Sequence, residues 1–226
     1  MALIFPSLIS ANLLNLQNEI DLLDPYCEGF HLDVMDNHFV PSLTWGAYFI
    51  NQIAAASQGR TWVHLMVDDP DNWIPRFTIP SKSIVSFHFE ASPNPLVTIQ
   101  FILKKGWVPS LAINPKTKSS DVFYLFDCGI KHVLIMAVEP GFSGQLYLPG
   151  VNEKIEEVQA YKVERQLDLT IALDGGINKN NIAQLARMGV EHFAVATGIF
   201  SYQNRIKALQ ELNRLANPRS TSRSRR

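Results

Sequence analysis

Short apolar runs alternate with amphipathic stretches from one end of the chain to the other. Runs with period-two or continuous apolar character read as strands over 3–9, 29–35, 61–67, 83–89, 108–113, 132–137, 169–174 and 192–196. Between and after them, spacing of three and four predicts helices over 15–23, 47–56, 71–77, 96–105, 120–126, 151–165, 179–188 and 203–215. Pro75 and Pro80 shorten the third of these. Strand then helix, eight times over, predicts a parallel sheet, and closing that sheet makes a single (β/α)8 TIM barrel over 1–217. An open doubly wound sheet is the alternative arrangement of the same elements.

Within this alternation, Phe30-His31-Leu32-Asp33-Val34-Met35 divides its side chains by chemistry. His31, Asp33 and Met35 share one face, while Phe30, Leu32 and Val34 take the other. His64 and Met66 repeat the pattern in the third strand, and the seventh ends on Asp174 before Gly175-Gly176. Any one such pair reads equally well as a satisfied polar edge. Three strand ends together point to a metal site, because buried His and Asp are costly without partners. His38 reads as a loop residue. His88, His132 and His192 have no carboxylate companion at a matched strand end, and read as structural.

Small residues follow strands six, seven and eight: Glu139 to Gln145 with Gly141 and Gly144, Gly175-Gly176, and Ala196-Thr197-Gly198. Barrels bind phosphate with the loops after strands seven and eight, so these three turns predict a phosphate cradle. Neither a Walker lysine nor GxGxxG occurs, which disfavours nucleotide hydrolysis and dinucleotide cofactors.

Composition narrows the partners. Four Arg lie in 219–226, so the rest of the chain carries 16 Lys and Arg against 21 Asp and Glu, a net −5. A mildly acidic body argues against nucleic acid, and 218–226 reads as a basic, disordered, solvated tail. Cys27 and Cys128 fit neither a disulfide framework nor a structural zinc site. With no leader-like start and no apolar run long enough for a membrane span, a soluble cytoplasmic protein is expected.

At this point the sequence resembles the ribulose-phosphate 3-epimerase family across nearly all of the chain up to Phe200. The resemblance is carried by Pro6-Ser7-Leu8-Ile9-Ser10-Ala11, His31 to Asp36 with His38 to Pro41, His64-Leu65-Met66-Val67, Asn114-Pro115, Pro140-Gly141-Phe142 with Gly144-Gln145, and Asp174 to Asn178. It implies a barrel of the ribulose-phosphate-binding type and one divalent metal ion held by His31, Asp33, His64 and Asp174. Asp33 and Asp174 would be the two acid/bases, with Ser10 and His64 contacting substrate. The phosphate would lie against Gly141, Phe142, Ser143, Gly144, Gly175, Gly176, Ala196 and Thr197, and Met35, Met66 and Met136 would shield the intermediate. The chain departs from the family pattern at Asn37, Ser143 and Ala196-Thr197, where glycine or Gly-Ser is usual, and at Ala172, where an acid is common.

The implied reaction is epimerisation at C3 of a ketose phosphate, D-ribulose 5-phosphate to D-xylulose 5-phosphate, by two-base proton transfer through a cis-enediolate. Two nitrogen and two oxygen ligands accept zinc, iron, manganese or cobalt, with zinc or iron favoured. Members of such a family resemble homo-oligomers, dimers or hexamers. Two other readings keep the barrel: a 3-epimerase for a six-carbon ketose phosphate of the allulose 6-phosphate type, and a non-catalytic sugar-phosphate-binding protein. A Schiff-base aldolase lacks its strand-end lysine, and Asp33-Val34-Met35-Asp36 lacks the lysine of the related decarboxylases.

Overall fold

A computed structural model of the chain describes residues 1–128 and 130–218; the basic stretch 219–226 lies outside the described residues. Eight strands form one sheet: β1 (Leu3–Pro6), β2 (Gly29–Met35), β3 (Arg60–Met66), β4 (Ile84–His88), β5 (Val108–Ile113), β6 (His132–Met136), β7 (Thr170–Asp174) and β8 (His192–Val195). From β2 to β8 each pairs in parallel with the next in sequence, and β8 pairs with β1. The ring closes between β1 and β2 at a single parallel bridge, Ser7 with His31. The sheet is therefore a barrel, and the open doubly wound alternative falls away.

The helices around it are α1 (Leu16–Leu23), α2 (Ala47–Ala56), α3 (Pro70–Trp73), α4 (Pro95–Lys104), α5 (Phe123–Asp127), α6 (Val151–Glu164), α7 (Ile182–Arg187), α8 (Thr197–Phe200) and α9 (Arg205–Ala216). Several edges differ from the sequence expectation for local reasons. The first strand stops at Pro6 because Leu8–Ser10 turns as a 3-10 helix. Around Pro75 the third helix is only α3 followed by a 3-10 turn, Ile74–Arg76, since proline cannot donate within a helix. The seventh begins at Ile182 instead of 179, because Asn178 and Asn181 side chains tie up the preceding turn. The short α8 was not anticipated as a separate element; it sits between β8 and α9.

Period-two alternation decides what each face of the barrel meets. Leu32, Val34, Val63, Leu65, Leu111, Val133, Leu173 and Phe193 point outward and are fully buried under the helices. Each such side chain contributes about 1.5–3 kcal/mol by leaving water. Inside the barrel, Phe5, Trp62, Ile84, Leu134 and Ala172 form a separate apolar plug. Beside it a polar chain is satisfied internally: Trp62 Nε1 donates to Ser86 Oγ at 2.8 Å, and Ser86 Oγ donates to Ser110 Oγ at 2.7 Å. His132 Nδ1 lies 2.7 Å from Ser110 Oγ, and its Nε2 lies 3.0 Å from His192 Nδ1. The two ends of the fold are fastened by Asn217, which accepts from the Ala2 amide at 2.7 Å and donates to the Ala2 carbonyl at 2.9 Å.

Above the plug the interior positions change from packing residues to ionisable ones. Among the described residues no helix is long and apolar enough to cross a membrane.

Candidate metal and substrate site

The inward register of β2, β3 and β7 brings four ionisable side chains to one point. Asp33 on β2 stands beside His64 on β3 in the ladder, His31 lies one inward position below Asp33, and Asp174 ends β7. One donor atom from each of His31, Asp33, His64 and Asp174 falls within 4.8 Å of every other. His31 and His64 are fully buried, Asp33 nearly so, and Asp174 partly open to the cleft above. The four residues anticipated as ligands are thus together.

Donors about 2.0–2.2 Å from a tetrahedral divalent ion stand about 3.4 Å apart from one another. Here His31 Nε2 is 3.1 Å from Asp33 Oδ1 and 3.6 Å from Asp174 Oδ2; His64 Nδ1 is 3.3 Å and 3.4 Å from the same two oxygens. The spacing of this N2O2 set fits an enclosed divalent cation. Its electrostatics point the same way. Burial opposes charge on His31, but the Asp33 carboxylate and hydrogen bonding to Asp174 outweigh it and raise its pKa to about 10. Burial likewise opposes ionisation of Asp33 and Asp174, yet the two imidazoles hold both carboxyls below their ordinary range. Two carboxylates sharing the same two imidazoles demand a positive charge, and a proton on His31 or a metal ion can supply it.

A cleft opens over this cluster, with Asp33 and Asp174 in its floor. Met35, Met66 and Met136 line it, all nearly buried. Gly141, Phe142, Ser143 and Gly144 form one wall, while Gly175 and Gly176 with Ala196 and Thr197 form another. The backbone amides of Gly144, Gly175, Gly176 and Ala196 donate to no protein acceptor among the described residues. Among the described residues neither Lys nor Arg lines the cleft, so an anion there would meet backbone dipoles and the hydroxyls of Ser143 and Thr197 in place of a side-chain cation. Gly176 has φ +66, and a Cβ on it would sit 2.4 Å from the Tyr147 amide nitrogen. Gly198 lets α8 approach: a Cβ there would lie 2.5 Å from the Ile177 carbonyl oxygen. Asn37, at a position where the family pattern has glycine, has φ 59, a left-handed conformation that asparagine tolerates.

The Ser10 hydroxyl meets Ser143 Oγ, on the wall of the cleft, at 2.6 Å and joins two rim loops. Sequence reasoning missed Ser7, which lines the cleft and donates to Asp33 Oδ2 at 2.6 Å. Inward alternation through Leu3, Phe5 and Ser7 was the available signal. Contrary to expectation, His88 is not without a carboxylate: its Nδ1 faces Glu90 Oε2 at 3.4 Å, and its Nε2 lies 2.9 Å from His64 Nε2. Burial, only partly offset by Glu90, lowers the His88 pKa to about 4. His88-Phe89-Glu90 repeats the spacing of His31-Leu32-Asp33, which is how it could have been found.

The family model described as the ribulose-phosphate 3 epimerase family matches residues 3–200. Among curated proteins, the ribulose-phosphate 3-epimerase of Bacillus subtilis is 35% identical over 214 residues, covering 94% of this chain and 98% of its own. That of Escherichia coli is 35% identical, covering 93% and 94%, and that of Mycobacterium leprae 34%, covering 95% of each. Among solved structures, orotidine 5'-phosphate decarboxylase from Pyrococcus horikoshii superposes with a TM-score of 0.66 at 10% identity, covering 95% of this chain and 99% of that one. At that identity the likeness concerns the barrel alone.

Proposed function

The chain belongs to the ribulose-phosphate 3-epimerase family, and on that premise we propose that it interconverts D-ribulose 5-phosphate and D-xylulose 5-phosphate by moving a proton at C3. The observation that carries this is the meeting of two histidines and two aspartates within 4.8 Å, at the floor of a cleft walled by glycine-rich turns.

C3 lies next to a ketone, so removing its proton leaves a planar enediolate, and returning a proton to the opposite face inverts the centre. Asp33 and Asp174 come from β2 and β7, different sides of the ring, and both reach the cleft. One accepts the C3 proton as a carboxylate; the other starts as the acid and donates to the far face. After one turnover their protonation states are exchanged, and exchange with solvent resets them. Ser7 holds Asp33 Oδ2 through its hydroxyl, which leaves Oδ1 directed at the cluster. A divalent ion held by His31, Asp33, His64 and Asp174 would supply Lewis-acid stabilisation of charge at the C2 oxygen. Zinc or iron suits that donor set.

Met35, Met66 and Met136 cover the planar intermediate with apolar, polarizable surface and exclude water from it. The free amides of Gly144, Gly175, Gly176 and Ala196, with Gly141 to Ser143 and Thr197, receive the phosphate. The protein acts in the cytoplasm as a homo-oligomer, dimer or hexamer; exposed Leu43 and Tyr48 after β2 support association. Light scattering tests that state.

Conversion of D-ribulose 5-phosphate, followed by NMR beside a six-carbon ketose phosphate, tests the reaction. The proposal expects the pentose phosphate to be turned over faster; binding of both without conversion of either would leave only a sugar-phosphate-binding barrel. Mass spectrometry of protein purified without chelator identifies the ion.

A further inference from the structure

His64 serves a metal only if its Nδ1 presents a lone pair to the cluster, and nothing in the cluster itself dictates this. The dictation comes from the opposite side of the ring. His64 Nε2 and His88 Nε2 are 2.9 Å apart, the rings are within 21° of coplanar, and their centroids are 5.1 Å apart. The centroids are thus further apart than the nitrogens by about two ring radii, so the imidazoles meet end to end in a hydrogen bond. A single hydrogen lies between them.

Glu90 decides which ring owns it. Its Oε2 faces His88 Nδ1 at 3.4 Å, and its Oε1 accepts from the Asn114 amide at 2.8 Å and from the Thr117 hydroxyl. A carboxylate surrounded by donors has no hydrogen to give, so His88 Nδ1 is the donor and His88 Nε2 the acceptor. His64 must then carry its hydrogen on Nε2, which frees Nδ1. The loop holding Glu90 is itself anchored: nearly buried Lys154 on α6 donates to the carbonyls of Asn114 at 2.7 Å, Pro115 at 3.0 Å and Thr117.

We propose that His88 and Glu90 are positioning residues that fix the tautomer and ring orientation of His64, through an ordered series of hydrogen bonds running from the loop after β5 to the cluster. Partners behind a metal-ligating histidine raise its basicity and hold its plane, and losing one costs about 10- to 100-fold in metal affinity. The inference rests on the metal reading of the cluster given above.

Zinc affinity, measured by competition with a chromophoric chelator, tests it without reference to turnover. Glu90→Gln and His88→Phe are expected to bind zinc about 10- to 100-fold more weakly than the unaltered protein. His88→Gln, whose amide oxygen accepts from His64 Nε2, should recover most of that loss. Equal affinity in Glu90→Gln and the unaltered protein would overturn the proposal, whereas failure of the unaltered protein to bind zinc would overturn the metal reading beneath it. Long-range ¹H–¹⁵N correlation on the zinc-loaded unaltered protein decides even if a variant does not fold. It should show hydrogen on Nε2 of His64 and on Nδ1 of His88; hydrogen on Nε2 of His88 contradicts the assignment.

Discussion

Ser7 donates its hydroxyl hydrogen to Asp33 Oδ2 at 2.6 Å, across the one seam where the barrel closes by a lone bridge. The joint between β1 and β2 therefore also orients a carboxylate of the site. A hydrogen bond to a charged group is worth about 1.5–3 kcal/mol. Ser7→Ala should then lower kcat by about 10- to 100-fold, by letting Asp33 turn and become more basic. Steady-state kinetics on the folded variant checks this, and unchanged kcat would remove Ser7 from the mechanism.

Asp174→Asn keeps the shape of the side chain but can neither accept nor deliver the C3 proton. Turnover should fall by at least about 10²-fold, the range of positioned proton transfer. Its circular dichroism should match that of the parent, because Asp174 lies outside the apolar clusters of the barrel.

Acid should destabilise the fold through the paired histidines at the base of the barrel. Burial, with the nearby Arg60 charge, lowers the His192 pKa to about 4; burial, with the His192 and Arg60 charges, holds His132 well below its ordinary range. Between pH 6.5 and 4 the unfolded chain binds protons at these two positions that the folded one refuses, so the contribution of His132 and His192 is full above pH 6.5 and is lost as pH falls. For His192 alone the loss approaches about 3 kcal/mol at pH 4. Urea unfolding at pH 7.5 and 4.5 should show a smaller pH effect in His192→Gln than in the parent.

A methyl group at residue 176 has no room. Gly176→Ala combines a left-handed φ of +66 with a contact at 2.4 Å to the Tyr147 backbone, so the loops after β6 and β7 must separate. KM for the sugar phosphate should rise, with a drop in Tm; an unchanged KM would detach these turns from phosphate binding.

The barrel was legible because its strands are short, apolar and regularly spaced, and β2, β5 and α2 fall where period alone places them. The ligand set was legible because His31, Asp33, His64 and Asp174 each fall on an inward position of a strand. Ser7 and His88 were harder. Ser7 lies just past the end of β1, where alternation is its one signal, and the contact of His88 with His64 becomes visible only when β3 and β4 are in register, with His64 opposite Ser86. Helix α3 was blurred by its prolines.

The central claim is that two carboxylates around one divalent ion move a proton at C3. Incubation of D-ribulose 5-phosphate with the protein in heavy water, with and without a chelator, tests it most directly. Deuterium should appear at C3 of D-xylulose 5-phosphate, vanish on chelation and return when zinc or ferrous iron is restored. Epimerisation that continues undiminished in metal-stripped protein, or product without solvent deuterium at C3, would contradict the account.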